Sequence, residues 1–408
     1  MAQTPYAAIA APEPGPGVCL SGLCQPEALK GLFEALAATE AGTPEQPVHI
    51  LQLGDSHTAA DRITGKLRAV LQARFGDGGR GVLPPGVPYD GYSPMQVEVT
   101  ATGWRTTQAA LTYPGFEPFP VGLTNVWETR TDADSRLTLR PEAPGRATDI
   151  RLCWEAPWGV VLSDEDETWR VEPERKGWWL TCGGVRPATP PGELVVRPAN
   201  PERPQAKLDH IRLTRAGPGV VVSNLGMVGA TLADLAARTE EVVIDELAEW
   251  RPELIILAYG VNEGFDDGLD AVAYEGLLRG QIDRLRLRAP GASLMILGAP
   301  DALRSGGAGG CSADGLRAPP PSLAVVRDVQ RRVAADTGVA FWDWHGRMGG
   351  DCAADRLALR AEPYMRGDRV HFTGAGAEWI GGVMVGDLLA AYEAWKAGRA
   401  TGETGSAD

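Results

Sequence analysis

Ser56 stands in QLGDSHTAAD (52–61), directly after an apolar run and a glycine. By itself a serine there reads as a helix cap. With a base and a carboxylate in reach it reads as a nucleophile. The chain has five histidines: His49, His57, His210, His345 and His371. His371 lies in MRGDRVHFTGAGAEW, and Asp368 precedes it by three residues. That offset lets the carboxylate hold one imidazole nitrogen while the other faces the serine. Gly229 in SNLGMVGAT and Asn262 in AYGVNEG follow two further apolar runs. Ligands of doubly wound sheets sit beyond the carboxyl ends of the strands. A strand order of 2-1-3-4-5 therefore brings Ser56, Gly229 and Asn262 to one edge. His57 either faces that cleft or simply packs. His345, two residues past Asp343, reads as structural.

The elements that must hold these residues alternate. VHILQLG (48–54), GVVVSNLG (219–226), ELIILAYG (253–260), SLMILGAP (293–300) and VAFWDW (339–344) read as buried parallel strands. Helical spacing follows each: 61–75, 230–250, about 271–289, up to about 336, and from Gly374 to Trp395. Such alternation predicts a doubly wound parallel sheet. The stretch from about Pro84 to Arg212 departs from it. Short β-prone pieces such as MQVEVTA, SRLTLRP, DIRLCWEA and GELVVRP alternate there with Pro and Gly clusters. This predicts an all-β sandwich inserted into the α/β domain. Seven tryptophans lie between Trp104 and Trp179, and they read either as sandwich core or as sugar-stacking surfaces. The expected organisation is an N-terminal arm (1–44), an α/β domain in two parts (45–84 and 213–397), the insert (85–212) and a disordered tail (398–408).

The totals exclude several classes. The 408 residues suffice for a sizeable core, and 44% hydrophobic with 23% charged residues is ordinary for a globular chain. A net charge of −14 disfavours nucleic acid and anionic membranes as main partners. No apolar run is long enough to span a bilayer. The start, MAQTPYAA, lacks a basic and apolar leader. That fits either a cytosolic chain or one whose signal peptide has been removed. The six cysteines favour export. Six allow 15 pairings, but they fall into three local pairs, so Cys19–Cys24, Cys153–Cys182 and Cys311–Cys352 are expected. The alternative is six buried thiols. Zinc is not expected, since neither C-x-x-C nor H-E-x-x-H occurs. The α/β-hydrolase elbow G-x-S-x-G is absent. Residues 76–81 match G-x-G-x-x-G but follow a helix, and read as a turn-rich connector.

GDSH (54–57), the glycine of VGAT, the GVN of YGVNE and DRVH (368–371) resemble the four blocks of the SGNH, or GDSL-type, hydrolases. The likeness spans roughly residues 45 to 395. It is nearest to the bacterial peptidoglycan O-acetylesterases, which carry a β-rich, carbohydrate-binding-like insert after the first block. FGDGGRGV (75–82), FWDW (341–344) and MGG (348–350) add to it. The resemblance implies a three-layer, flavodoxin-like α/β fold. It implies Ser56 as nucleophile, His371 as base and Asp368 as its orienting carboxylate. The backbone N–H groups of Ser56 and Gly229 and the amide of Asn262 would form the oxyanion hole.

The expectation is therefore a periplasmic or secreted serine esterase that removes O-acetyl groups from a polysaccharide, peptidoglycan first. No metal or organic cofactor is implied. One alternative is a polysaccharide O-acetyltransferase using the same serine. Another is a carbohydrate-binding protein with a vestigial esterase domain. The insert is expected to wall the cleft. Glycan binding is expected to rest on Trp and Tyr stacking rather than on charge.

Overall fold

The computed structural model describes residues 19–108, 120–132, 134–143, 148–155, 159–200, 207–306 and 309–404. Five parallel strands form its central sheet: β1 (Val48–Gly54), β2 (Val220–Gly226), β3 (Leu254–Ala258), β4 (Ser293–Leu297) and β5 (Ala340–Trp342). β1 is flanked by β2 and β3, and β4 and β5 follow outward, giving the expected order 2-1-3-4-5. The strands are mostly apolar and buried because both faces are covered. Ile50, Val222 and Ile256 face one core, and Leu51, Leu225 and Leu257 face the other.

The first core is roofed by α1 (Lys30–Glu40), α3 (Arg62–Phe75) and α11 (Gly374–Thr404), the second by α5 (Glu240–Trp250), α7 (Ala271–Arg288) and α8 (Pro321–Thr337). The short helices α2 (Ser56–Ala59), α4 (Leu232–Ala236), α6 (Val261–Gly264), α9 (Trp344–Met348) and α10 (Ala353–Ala358) lie between the longer ones in the chain. The N-terminal hairpin pairs Leu23 with Trp342 and extends the sheet antiparallel beyond β5.

Two helical expectations need correction. The helix foreseen over 230–250 is two, α4 and α5. Its break follows from Thr239, whose N–H donates to the carbonyl of Val121 in the insert (2.9 Å). α11 runs on to Thr404 instead of ending near Trp395, so residues 398–404 continue a helix. Residues 405–408 of the expected tail, and 1–18 of the arm, lie outside the described residues.

Between α3 and β2, every described regular element is a strand. One antiparallel sheet contains 97–102, 136–141, 160–163, 168–170 and 194–198; the other contains 104–108, 126–130, 149–155, 175–176, 180–185 and 207–214. Leu137, Leu139, Leu162 and Leu194 of the first meet Leu152, Trp154, Leu208 and Ile211 of the second in one core. That is a sandwich. Residues 79–83, read as a connector, form a strand on 207–214, with Leu83 opposite Ile211. Glycine makes this close approach feasible. A Cβ on Gly79, at φ +103°, would lie 2.6 Å from Thr214 Cα.

All three expected disulfides are present. Cys311–Cys352 closes the longest loop, with a sequence separation of 41. The chain-entropy relation assigns such a loop about 4 kcal/mol. Cys311→Ser with Cys352→Ser should therefore lower the unfolding free energy by up to about 4 kcal/mol. Urea unfolding of that variant beside the parent checks it, and an unchanged midpoint would contradict it.

Candidate active site

Gly54 ends β1, and a Cβ there would lie 2.3 Å from Thr58 Oγ1 and 2.6 Å from the carbonyl of Ala258. Only glycine lets the chain turn so sharply past its neighbour strand. Asp55 then caps α2, and its carboxylate accepts the N–H of His57 (2.9 Å). Gln52 Nε2 donates to Thr58 Oγ1 (2.9 Å), and Asn224 Nδ2 donates to the Thr58 carbonyl and to Thr64 Oγ1. These bonds fix the turn on which Ser56 sits half-buried at the sheet edge.

Ser56 Oγ is 3.0 Å from His371 Nε2, and His371 Nδ1 is 2.9 Å from Asp368 Oδ2. The other carboxylate oxygen of Asp368 accepts the N–H groups of Val370 (2.9 Å) and His371 (3.0 Å). Partial burial works against charge on Asp368, but these N–H groups and the imidazole outweigh it and hold the carboxyl below its ordinary value. Serine, imidazole and carboxylate are thus one hydrogen-bonded chain. The His371 loop is itself held. Arg317 donates to the carbonyls of Gly367 and Asp368, and Arg369 pairs with Asp355 (3.0 Å). Arg317 comes from the loop that carries Cys311, so the disulfide tethers a segment docked on the His371 loop.

Gly229 lies at φ +77° in an exposed turn after β2. Asn262, in α6, donates its amide to the Ala230 carbonyl (2.8 Å) and so ties itself to that turn. Glu263 reinforces the tie by accepting the Leu232 N–H (2.6 Å). Burial, aided by repulsion from Asp55, pushes the Glu263 carboxyl up to about 7. Ser56 is the first residue of α2, where a helix leaves its N–H without an intrahelical partner. The strand order places β1, β2 and β3 side by side, so the three expected donors leave the same end of adjacent strands.

His57 is only 6% exposed, and its ring nitrogens reach Asp55 Oδ1 (3.2 Å) and the Val370 carbonyl (2.9 Å). Both partners accept only, so the ring satisfies both as an imidazolium. Burial opposes that charge, yet Asp55, Val370 and Asp368 raise its pKa above the ordinary value. It links the Ser56 turn to the His371 loop and stacks on His371 at 5.6 Å. His345 pairs with Asp351 (3.0 Å), as its structural reading requires.

Sequence reasoning missed Asp61, the last residue of the opening stretch. It accepts hydrogen bonds from Arg68 (2.8 Å), Arg80 (3.0 Å), Thr64 (2.6 Å) and the Met95 N–H (2.8 Å). Its signal was its place in the first block, four residues from His57, but its partners are distant in sequence.

The cleft at Ser56 has a volume of about 530 Å³. Tyr89, Asp90, Gly91 and Ser93, from the start of the insert, line it with Arg62, Arg366 and Phe372. Stacking on Trp and Tyr is expected, and of these Tyr89 lines the cleft. No tryptophan lines the cleft among the described residues. Trp154 is core, while Trp178 and Trp179 donate their backbone N–H groups to Asp245 of α5 and leave their rings exposed away from this cleft. Trp158 lies outside the described residues. A second cleft of about 420 Å³, lined by His49, Arg212 and Trp250, opens at the amino ends of the strands, away from Ser56. Asp209, His210 and Glu246 cluster as metal ligands do. However, His210 is committed to Asp209 (2.6 Å) and to the Trp250 indole N–H (2.9 Å), and Glu246 accepts two backbone N–H groups.

The profile of the GDSL-like lipase/acylhydrolase family matches residues 194–379. That span holds Gly229, Asn262, Asp368 and His371 and begins after Ser56, within the last strands of the insert. By this match the second part of the α/β domain is similar to the GDSL-like lipase/acylhydrolase family. The architecture of the chain is, more particularly, similar to that of a peptidoglycan O-acetylesterase, with 24% identity and a TM-score of 0.72 over 89% of this chain and 96% of the other. A GDSL-like lipase from Parabacteroides merdae is 20% identical over 41% of this chain and 73% of its own, with a TM-score of 0.33. No curated protein matches the chain.

Proposed function

We propose that the protein is a serine esterase that removes O-acetyl groups from a polysaccharide, peptidoglycan first, by way of an acyl-serine. The observation that carries this reading is the hydrogen-bonded chain Ser56–His371–Asp368 at the mouth of a glycan-sized cleft. Ser56 Oγ attacks the ester carbonyl and passes its proton to His371 Nε2. Asp368 keeps the imidazole in the right tautomer and supports the imidazolium without taking the proton. The Ser56 and Gly229 N–H groups and the Asn262 amide receive the oxyanion, each worth about 3–4 kcal/mol to the transition state. His371 returns the proton to the leaving sugar hydroxyl. Water, deprotonated by the same imidazole, then frees acetate.

The fold shared with a peptidoglycan O-acetylesterase supports the choice of glycan. Three disulfides support export to the periplasm or the medium, where they persist. No described helix is long and apolar enough to cross a membrane. The test is acetate release from purified O-acetylated peptidoglycan, set beside acetylated xylan. Faster release from peptidoglycan is expected. Release from xylan alone would overturn the choice of glycan, and release from neither would overturn the polysaccharide reading.

A further inference from the structure

Two guanidinium groups line the Ser56 cleft, those of Arg62 and Arg366. Both side chains are exposed, and neither makes an ion pair or a side-chain hydrogen bond among the described residues. Several other surface arginines are matched by carboxylates: Arg140 with Glu193, Arg279 with Glu275 and Asp336, Arg304 with Asp267. Among the described residues the one carboxylate lining the cleft is that of Asp90, and no ion pair joins it to either arginine.

Both arginines stand on firm backbone. Arg62 opens α3, whose inner face is core. The N–H of Arg366 donates to the carbonyl of His371 (2.7 Å), and Met365 bridges Phe372. One cation is therefore anchored directly across from the base, the other on the helix that follows the nucleophile turn. A chain with a net charge of −14 repels an acidic polymer over most of its surface. Two unmatched guanidiniums beside the reacting atoms reverse that locally, and their planar forks suit a carboxylate.

We propose that Arg62 and Arg366 recognise a carboxylate on the substrate close to the acetyl ester, so that the enzyme selects acidic acetylated glycans over neutral ones. This rests on the esterase reading above and narrows its substrate class. In peptidoglycan the carboxylate has two sources, the lactyl group of the muramyl sugar and the stem peptide. Either presents the same chemistry to the arginines.

The test compares the parent with Arg62→Gln, Arg366→Gln and the double variant. Three acetylated substrates are used: peptide-bearing peptidoglycan fragments, peptide-free glycan strands with free lactyl carboxylates, and a neutral acetylated chito-oligosaccharide. The readout is the ratio of kcat/KM on an acidic substrate to that on the neutral one, at low and at high salt. Hydrogen bonds to charged groups at part-exposed sites predict a fall in that ratio of roughly tenfold for each arginine. The ratio should also fall with salt in the parent, and less so in the double variant. The stem peptide is joined through an amide to the lactyl carboxyl, so a fall on peptide-bearing fragments alone assigns a stem-peptide carboxylate. A fall on peptide-free strands alone assigns the free lactyl carboxylate, and a fall on both shows that either carboxylate is recognised.

Equal losses on acidic and neutral glycans would overturn the inference and leave the esterase reading standing, as would an unchanged ratio. Failure of the parent to release acetate from any of the three would overturn the glycan reading itself.

Discussion

Ser56→Ala lowers ester hydrolysis to near background, a loss on the order of 10⁴-fold or more, and leaves the fold intact. The large effect follows because the Ser56 hydroxyl is the atom aligned on His371 Nε2 at 3.0 Å, and alanine removes the only attacking oxygen. The small structural effect follows from what else that hydroxyl does. Among the described residues its one side-chain hydrogen bond is to His371, and the turn around it is held by Asp55, Gln52 and Asn224. The measurement is turnover of a chromogenic acetate ester, with circular dichroism and thermal unfolding of the same preparations. Retention of half the parent's turnover by a folded variant would sink the assignment. So would labelling of a different serine by a fluorophosphonate.

Asp61→Asn costs about 3–5 kcal/mol of stability, the range for breaking a buried ion pair by removing one partner. Asparagine suits the left-handed backbone at this residue, φ 49°, so the substitution removes charge without adding backbone strain. Arg68 has no exposed surface and Arg80 has 2%. Both lean on the Asp61 carboxylate, and neutralising it leaves two guanidiniums buried together. Burial alone would raise the Asp61 carboxyl, but the two arginines overcome it and bring it down to about 2. A carboxyl depressed in the folded state adds stability above its unfolded value. That stability is lost as pH falls from about 4 towards 2. Urea unfolding near neutral pH gives the size of the effect, and a repeat near pH 3 should show a smaller gap between parent and variant. A neutral-pH difference under about 1 kcal/mol would be too small for a broken buried pair.

The strand order was legible because each parallel strand is an apolar run that ends at a chemically marked residue: Gly54, Gly226, Gly260. The pairing of His371 with Asp368 was legible because one loop carries both. What stayed hidden depends on partners far along the chain. Gly79 to Leu83 looks like a turn until Thr214 and Ser223 are seen packed against it. Asp61 looks like a helix residue until Arg80 and Met95 arrive from the insert's edge. The tryptophans read equally as surface or core, because a β-strand exposes one face and buries the other, and which face is inward is set by the second sheet. The arginines of the cleft carry no periodicity at all.

The position of β1 at the middle of the sheet has a consequence for how the chain is made. Both of its neighbours, β2 and β3, are encoded after the whole insert. From the end of β1 to the start of β3 about 200 residues must be polymerised, which at 5–20 residues per second takes about 10–40 s. Until β2 has emerged, this buried strand, with the nucleophile at its tip, has no sheet partner on either side, and β3 arrives later still. The sandwich, by contrast, already has all its strands once Thr214 has emerged. The nascent chain therefore completes its accessory lobe first, and the catalytic centre is assembled only when the last loop, with Asp368 and His371, closes over Ser56.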